Sequence, residues 1–300
     1  MRTSGTIRKA GERIISALAR FDYLTPAQIT RLLYAPASLT HVYEQMRSLV
    51  DRGYVLTLGG RAVNLPLIYT LSGNGRQYAA FLGVPPKTTR IRPSEEADKG
   101  RNPYFLRHTI AVTDVLIAAK LLSERVPAIQ LSRMYTEREL KRKIHVQLPG
   151  QTPQGKPRFQ TICIEPDASC EFEITETWHE KPQTWVDFFH IEVYRNLPPA
   201  EWRYKQKIQG YVYAVDEGWH EAFFHIPALS LAVIAATDQM AATLKRWTEE
   251  VLTEIERPEE GDWFFFCSLN PATASPEELF LTPIWEQAFG TTKTPLIVLE

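Results

Sequence analysis

Ile162-Cys163-Ile164-Glu165-Pro166-Asp167 and Phe189-His190-Ile191-Glu192-Val193-Tyr194-Arg195 are the two stretches on which the fold turns. Both are rich in β-branched and aromatic residues, so both read as strands. The polar segment from about Thr177 to Thr184 reads as a hairpin turn, so residues facing each other across the pair should have numbers summing to about 360. Asp167 then lies opposite roughly residue 193, and Glu192 is a near neighbour with Cα atoms roughly 4.5–8 Å away. Alternation sends His190, Glu192 and Tyr194 to one face of the strand and leaves Phe189, Ile191 and Val193 for the core.

Two carboxylates brought together at a strand end repel each other, and a hard divalent cation such as Mg²⁺ or Mn²⁺ relieves that repulsion. A cation held there can polarise a phosphate and generate hydroxide, the chemistry of metal-assisted phosphodiester cleavage, with a lysine to stabilise developing negative charge. Asp167 and Glu192 are the candidate metal ligands. Lys207, with Lys205 beside it, is the candidate catalytic lysine, carried by a helix expected from Trp202 to about Val215. The same spacing also suits a plain ion pair between Glu192 and Arg203 or a lysine, with Asp167 starting a turn after Pro166.

Working outward, Arg107 to Ser123 is expected as a helix with Val112, Val115, Leu116, Ala119 and Leu122 on its buried side. Strands are expected at 129–135, 144–148, 162–164, 168–175, 186–194, 222–226 and 263–267, and a further helix at 237–255. Helix, several strands, helix, strand is the order of an α/β sandwich and not of βαβ repeats.

Upstream, the proline- and charge-rich segment 86–103 reads as a linker between a head at 1–85 and a body at 104–300. In the head, Ile7, Ile14, Ile15 and Leu18 share a helical face. Thr25-Pro26 starts a second helix, and Ser38 caps a third with Leu39, Val42, Met46, Leu49 and Val50 on its core side. Strands at 54–58 and 67–71 flank the turn Gly59-Gly60-Arg61. Three helices and a hairpin follow the winged helix-turn-helix plan. That plan puts Thr40, His41, Glu44, Arg47 and Ser48 on the groove-facing side, and Arg61 at the wing tip.

The charge distribution agrees with this division. Residues 1–90 hold 12 Lys/Arg and 4 Asp/Glu, against 22 and 31 in residues 91–300. The basic head is therefore the natural place for phosphate contacts. The cysteines Cys163, Cys170 and Cys267 are odd in number and form no CxxC pair, which argues against a disulfide framework and a thiolate zinc site. With no apolar stretch of spanning length and no secretory leader, a cytoplasmic location is expected.

Leu106-Arg107-His108-Thr109 with Asp114, Tyr135-Thr136-Glu137-Arg138-Glu139-Leu140, Pro166-Asp167-Ala168, Ile191-Glu192-Val193, and Lys207 with Tyr211 occur in an order that resembles the replication-relaxation proteins of plasmids and integrative elements. The resemblance implies an N-terminal winged helix, a restriction-endonuclease-like α/β domain of PD-(D/E)xK type, and a role in replication or transfer of mobile DNA. In a PD-(D/E)xK site a lysine follows the acid by two residues, and here that position is Tyr194, so Lys207 is the lysine of choice. His108 and Asp114 would support the site from the preceding helix. The partners implied are double-stranded DNA, replication or mobilisation proteins, and a second copy of the chain. Two readings stay open: a DNA-binding accessory protein that cleaves DNA with a divalent metal, and a non-catalytic adaptor or regulator built on the same fold.

Overall fold

The computed structural model describes residues 7–60, 65–84, 102–141, 144–151, 157–178, 181–195, 198–226 and 229–299. It divides into two compact units, Met1–Ile117 and Ala118–Glu300. The expected linker lies almost wholly outside the described residues, as does Arg61 at the expected turn between the first two strands.

In the first unit, α1 (Lys9–Phe21), α2 (Pro26–Leu33) and α3 (Leu39–Asp51) precede an antiparallel hairpin of β1 (Val55–Gly60) and β2 (Leu65–Leu71). Thr25 and Gln28 close a reciprocal capping box at the start of α2, with Pro26 at the first helical position where its missing N–H costs nothing. Ser38 stands at the N-cap of α3 but makes no side-chain cap bond, because the chain enters through a 3₁₀ turn, Pro36–Ser38, and not from extended backbone. Leu24 forms a β-bridge with Tyr69, so the hairpin is tied to the segment between α1 and α2. The short helix α4 (Gly73–Phe81), absent from the sequence expectation, follows the hairpin.

The helix α5 (Pro103–Arg125) begins in this unit, where Leu106 packs with Tyr23, Leu58, Leu65 and Ile68. Its Val112, Val115, Leu116, Ala119 and Leu122 are all buried, as its periodicity requires. None of the described helices is long and apolar enough to cross a membrane.

The second unit is mixed α and β around a seven-stranded sheet. Its strands are β3 (Ile129–Thr136), β6 (Ala168–Trp178), β7 (Lys181–Tyr194), β8 (Leu231–Ala235), β9 (Phe264–Ser268), β10 (Trp285–Gln287) and β11 (Lys293–Thr294), in spatial order β11-β10-β9-β8-β7-β6-β3. β3, β6 and β7 pair antiparallel. After β7 the chain crosses over through α7 (Glu201–Asp216) and α8 (Trp219–Phe224), and β8 returns parallel to β7. Helix α9 (Asp238–Glu254) makes the next crossover, to β9. The two-residue-per-turn alternation expected of a half-exposed strand fails here because the crossover helices cover the sheet. Phe188 through Val193 are buried on both faces.

The short helix α6 (Glu137–Leu140) follows β3, and β4 (Ile144–Gln151) and β5 (Pro157–Ile164) form a separate antiparallel ribbon. Its apolar side, with Ile144, Val146, Leu148, Ile162 and Ile164, joins the core shared by α7 and the sheet. The approach is close at Gly210, where a Cβ would sit 2.2 Å from Ile164 Cδ1 and 2.6 Å from Ile162 Cδ1. One expected strand is corrected. Residues 222–226 are not β but largely the end of α8, which is bracketed by the left-handed residues Gly218 and His225. The strand lies further on, at Leu231–Ala235.

Candidate functional site: a sealed carboxylate behind a basic and acidic cavity

The β6–β7 hairpin runs in the register Ala168↔Ile191 through Trp178↔Lys181. Asp167 is therefore the first residue beyond the paired end of β6. Its side chain takes over where the ladder stops: Val193 N–H donates to Asp167 Oδ2 at 2.8 Å. The carboxylate thus serves as a strand partner for β7, which fixes its position beside Glu192.

Glu192 is 2% exposed. It faces α7, where Lys207 and Tyr211 stand one turn apart on the same side, the spacing that lets two side chains meet one target. Lys207 Nζ lies 2.6 Å from Glu192 Oε2 and 2.5 Å from Oε1, and Tyr211 OH donates to Oε1 at 2.7 Å. Tyr194 OH reaches Oε2 at 3.4 Å. Burial, with a smaller push from the Asp167 charge, raises the Glu192 carboxyl to about 7 against the pull of the Lys207 ammonium. Burial also disfavours the Lys207 ammonium, but the Glu192 and Asp167 charges outweigh it and raise its pKa. Burial and the neighbouring Glu192 charge keep Tyr211 well above the usual tyrosine value, so its hydroxyl stays a donor.

In front of this pair lies a cavity of about 370 Å³, lined by Glu137, Ile162, Cys163, Ile164, Glu165, Asp167, Arg203, Gln206 and Lys207. Lys207 thus serves both, lining the cavity with a side chain that is 26% exposed and holding Glu192 with its ammonium. Glu192 itself does not line the cavity. The residues that sequence spacing proposed are brought together, and two further acids, Glu137 and Glu165, join them at the wall.

A family model for replication-relaxation matches residues 15–224. The chain belongs to the replication-relaxation family. No curated protein and no solved structure is significantly similar to it.

In this replication-relaxation protein the family match spans α2 through α8, and so includes Asp167, Glu192, Lys207 and Tyr211. Lys205, the other lysine considered, turns elsewhere and pairs with Glu201 at 2.9 Å and Glu250 at 2.7 Å. Arg203 lines the cavity, while Lys207 supplies the cation for Glu192. Asp114 is engaged by Arg31 at 3.7 Å within the first unit. His190, two residues before Glu192, is a core histidine. Its Nδ1 meets Ser169 Oγ at 2.7 Å, and burial foremost, then His220 and Lys207, holds its pKa well below the ordinary value.

Mg²⁺ and Mn²⁺ require hard oxygen donors, and Asp167, Glu165 and Glu137 present them to the cavity wall. Glu192 does not fit such a role as it stands, since both its oxygens accept from Lys207 and Tyr211. Among the described residues there is no cluster of three or more His, Cys, Asp or Glu arranged to hold a metal.

In the first unit, Thr40, His41, Glu44, Arg47 and Ser48 are all exposed on one side of α3, with Val42, Met46 and Leu49 buried on the other. Leu39 departs from the expected core stripe and is 39% exposed, being the first residue of the helix and lying outside the packed turns. His41 meets the Tyr34 ring edge-on at 5.8 Å. Cys163, Cys170 and Cys267 form no disulfide; Cys170 and Cys267 are buried and Cys163 is exposed at the cavity.

Proposed function

We propose that this replication-relaxation protein is a cytoplasmic DNA-binding accessory factor in the replication or transfer of a mobile element. The head at 1–85 is read as a winged helix that docks duplex DNA, and the body at 104–300 as a PD-(D/E)xK nuclease-like fold. The observation that carries the reading is α3: it offers Thr40, His41, Arg47 and Ser48 to solvent opposite a buried apolar stripe, within residues 1–90, whose net charge is +8. Arg47 suits the O6/N7 edge of guanine, and Thr40, His41 and Ser48 suit phosphates or base edges. Arg61, in the sequence between β1 and β2, would supply the wing contact. The order α5-β3-β6-β7-α7-β8, with three antiparallel strands and a parallel fourth after a helix, supports the reading of the body.

For the body, the saturation of Glu192 by Lys207 and Tyr211 favours a recognition scaffold that no longer depends on a metal. Lys207 already neutralises the charge that a cation would. The second reading, a Mg²⁺- or Mn²⁺-dependent endonuclease, is favoured by the cavity, where Asp167 and Lys207 sit side by side with Glu165 and Glu137. In that case Asp167 would hold the metal, which would supply Lewis acidity to a phosphodiester, and Lys207 would steady negative charge at the phosphate. Glu192 would join Asp167 as ligand only on release from Lys207.

The test is a titration of the full-length protein against labelled duplex, followed by incubation of supercoiled plasmid with the protein and Mn²⁺. Duplex binding that weakens steeply with salt and an intact plasmid are expected. Absence of binding at low salt would overturn the DNA-binding reading. Nicking lost in Lys207→Ala would replace the scaffold reading by the nuclease one.

A further inference from the structure

The β4–β5 ribbon differs in charge from the domain that carries it. From Lys141 to Ile164 the sequence holds Lys141, Arg142, Lys143, Lys156 and Arg158 and no aspartate or glutamate, whereas the rest of residues 91–300 has 17 basic and 31 acidic side chains. The inward side of the ribbon is already committed to the core. On its outward side His145, Gln147 and Thr161 are exposed, and Phe159 is 66% exposed. Arg158 is exposed too and forms no ion pair among the described residues, while Lys141 shares its charge with Glu137 at 3.8 Å.

Phe159, opposite Pro149, stands on the outward side with Gln147 and Thr161, and Arg158, opposite Gly150 on the alternate side, is exposed next to it, so adjacent positions of one strand offer a cation and an apolar ring, chemistry that suits a polyanion with an apolar groove wall. A two-stranded ribbon is also one of the few protein elements that the major groove admits. At its base, Ile162, Cys163 and Ile164 of the ribbon, with Glu165 just beyond it, line the cavity to which Asp167 and Lys207 also contribute.

We infer that the β4–β5 ribbon is a second duplex-DNA contact, with Arg158 on a phosphate and Phe159 against the sugars of the groove. The inference rests on the DNA-binding reading above and adds to it where the body, and not only the head, touches DNA. It also gives a role to a basic segment in a domain whose remainder is acidic overall.

The test uses the full-length protein with a labelled duplex and, separately, one of its single strands. Arg158→Glu should lower duplex affinity about tenfold and flatten the dependence of log affinity on log salt by about 1 or more. Phe159→Ala should lower it about threefold with the salt dependence unchanged. Gln160→Arg should raise affinity about threefold and steepen the salt dependence, a gain that a misfolded protein does not give. If all three stay within about twofold of wild type while Arg47→Ala weakens binding, the ribbon inference is overturned and the head reading stands. If the ribbon variants respond and Arg47→Ala does not, the head reading falls and the ribbon remains. A wild-type preference for the single strand that Phe159→Ala removes would overturn the assignment to duplex.

Discussion

Lys207 holds Glu192 by both carboxylate oxygens, at 2.5 and 2.6 Å, from a helix that covers the strand on which Glu192 sits. Removing two charges from water is costly, and the Lys207 contact with the additional hydrogen bond from Tyr211 offsets only part of that cost, since burial still raises the Glu192 carboxyl. The pair closes the sheet side of the cavity and leaves Asp167 as the carboxylate that joins strand to cavity.

The first prediction concerns pH. The Glu192 carboxyl is raised from 4.5 to about 7, so between those values the folded state binds protons that the unfolded state does not. Its contribution to stability is therefore full below about pH 4.5 and is lost as pH rises through about 7, a loss on the order of 3 kcal/mol. The raised pKa of Lys207 acts only in strongly alkaline solution, outside this window. The depressed His190 and His220 act in the opposite sense, losing stability as pH falls below 6.5, so the quantity to measure is a difference. Chemical denaturation of wild type and Glu192→Gln should show wild type losing about 3 kcal/mol relative to the variant between about pH 5 and pH 8. A difference that does not change with pH would refute the assignment.

The second prediction separates the two readings of the body. Asn at position 167 can still accept the Val193 N–H through its amide oxygen, so Asp167→Asn should keep the fold at a cost of about 1 kcal/mol. On the scaffold reading, millimolar Mn²⁺ leaves the melting temperature of the full-length protein unchanged in wild type and variant alike. A rise in wild type that Asp167→Asn abolishes would show a cation bound to the folded state, and would favour the nuclease.

The third prediction concerns the ribbon. Gly210 allows Ile162 and Ile164 to approach the backbone of α7, and a methyl group there would meet both side-chain ends at under 3 Å. Gly210→Ala should destabilise the fold by about 1–3 kcal/mol through overpacking, because helix propensity alone would favour alanine. Thermal melting of the full-length variant checks the sign. A stabilised variant would mean that the ribbon is not clasped to the helix.

The hairpin arithmetic could be read from the sequence because a polar turn and two β-branched runs fix an antiparallel register. The observed pairs sum to 359, one less than expected, so the register continued by one residue sets Asp167 opposite Glu192, while the Asp167 side chain accepts the N–H of the next residue, Val193. The burial of Glu192 could not be read, since period-2 alternation says which residues share a face but not which helix will cover it. Covering by α7 depends on a crossover that closes only in three dimensions. β8 was obscured for a related reason: Leu231-Ala232-Val233-Ile234-Ala235 is apolar throughout, buried on both faces, and has no alternation to announce a strand. In contrast, the local signal Thr25-Pro26 was enough to start α2, because its cap is made by neighbours in sequence. Glu137 escaped the sequence reading because it comes to the cavity from a separate element, and Glu165, though only two residues before Asp167, because spacing along the chain does not tell which way its side chain turns. Lys207 and Tyr211, four residues apart on one helix, carried the one local clue that they share a target.

The most direct test of the central claim is fluorescence anisotropy of a labelled duplex with full-length wild type and Arg47→Ala, repeated over a range of salt. Arg47 is exposed on α3 opposite its buried stripe, so the substitution removes a contact without disturbing the core. The account predicts about a tenfold loss of affinity, within the 1–3 kcal/mol expected of an arginine contact. Equal affinity and equal salt dependence in wild type and variant, or no binding by wild type at low salt, would contradict it.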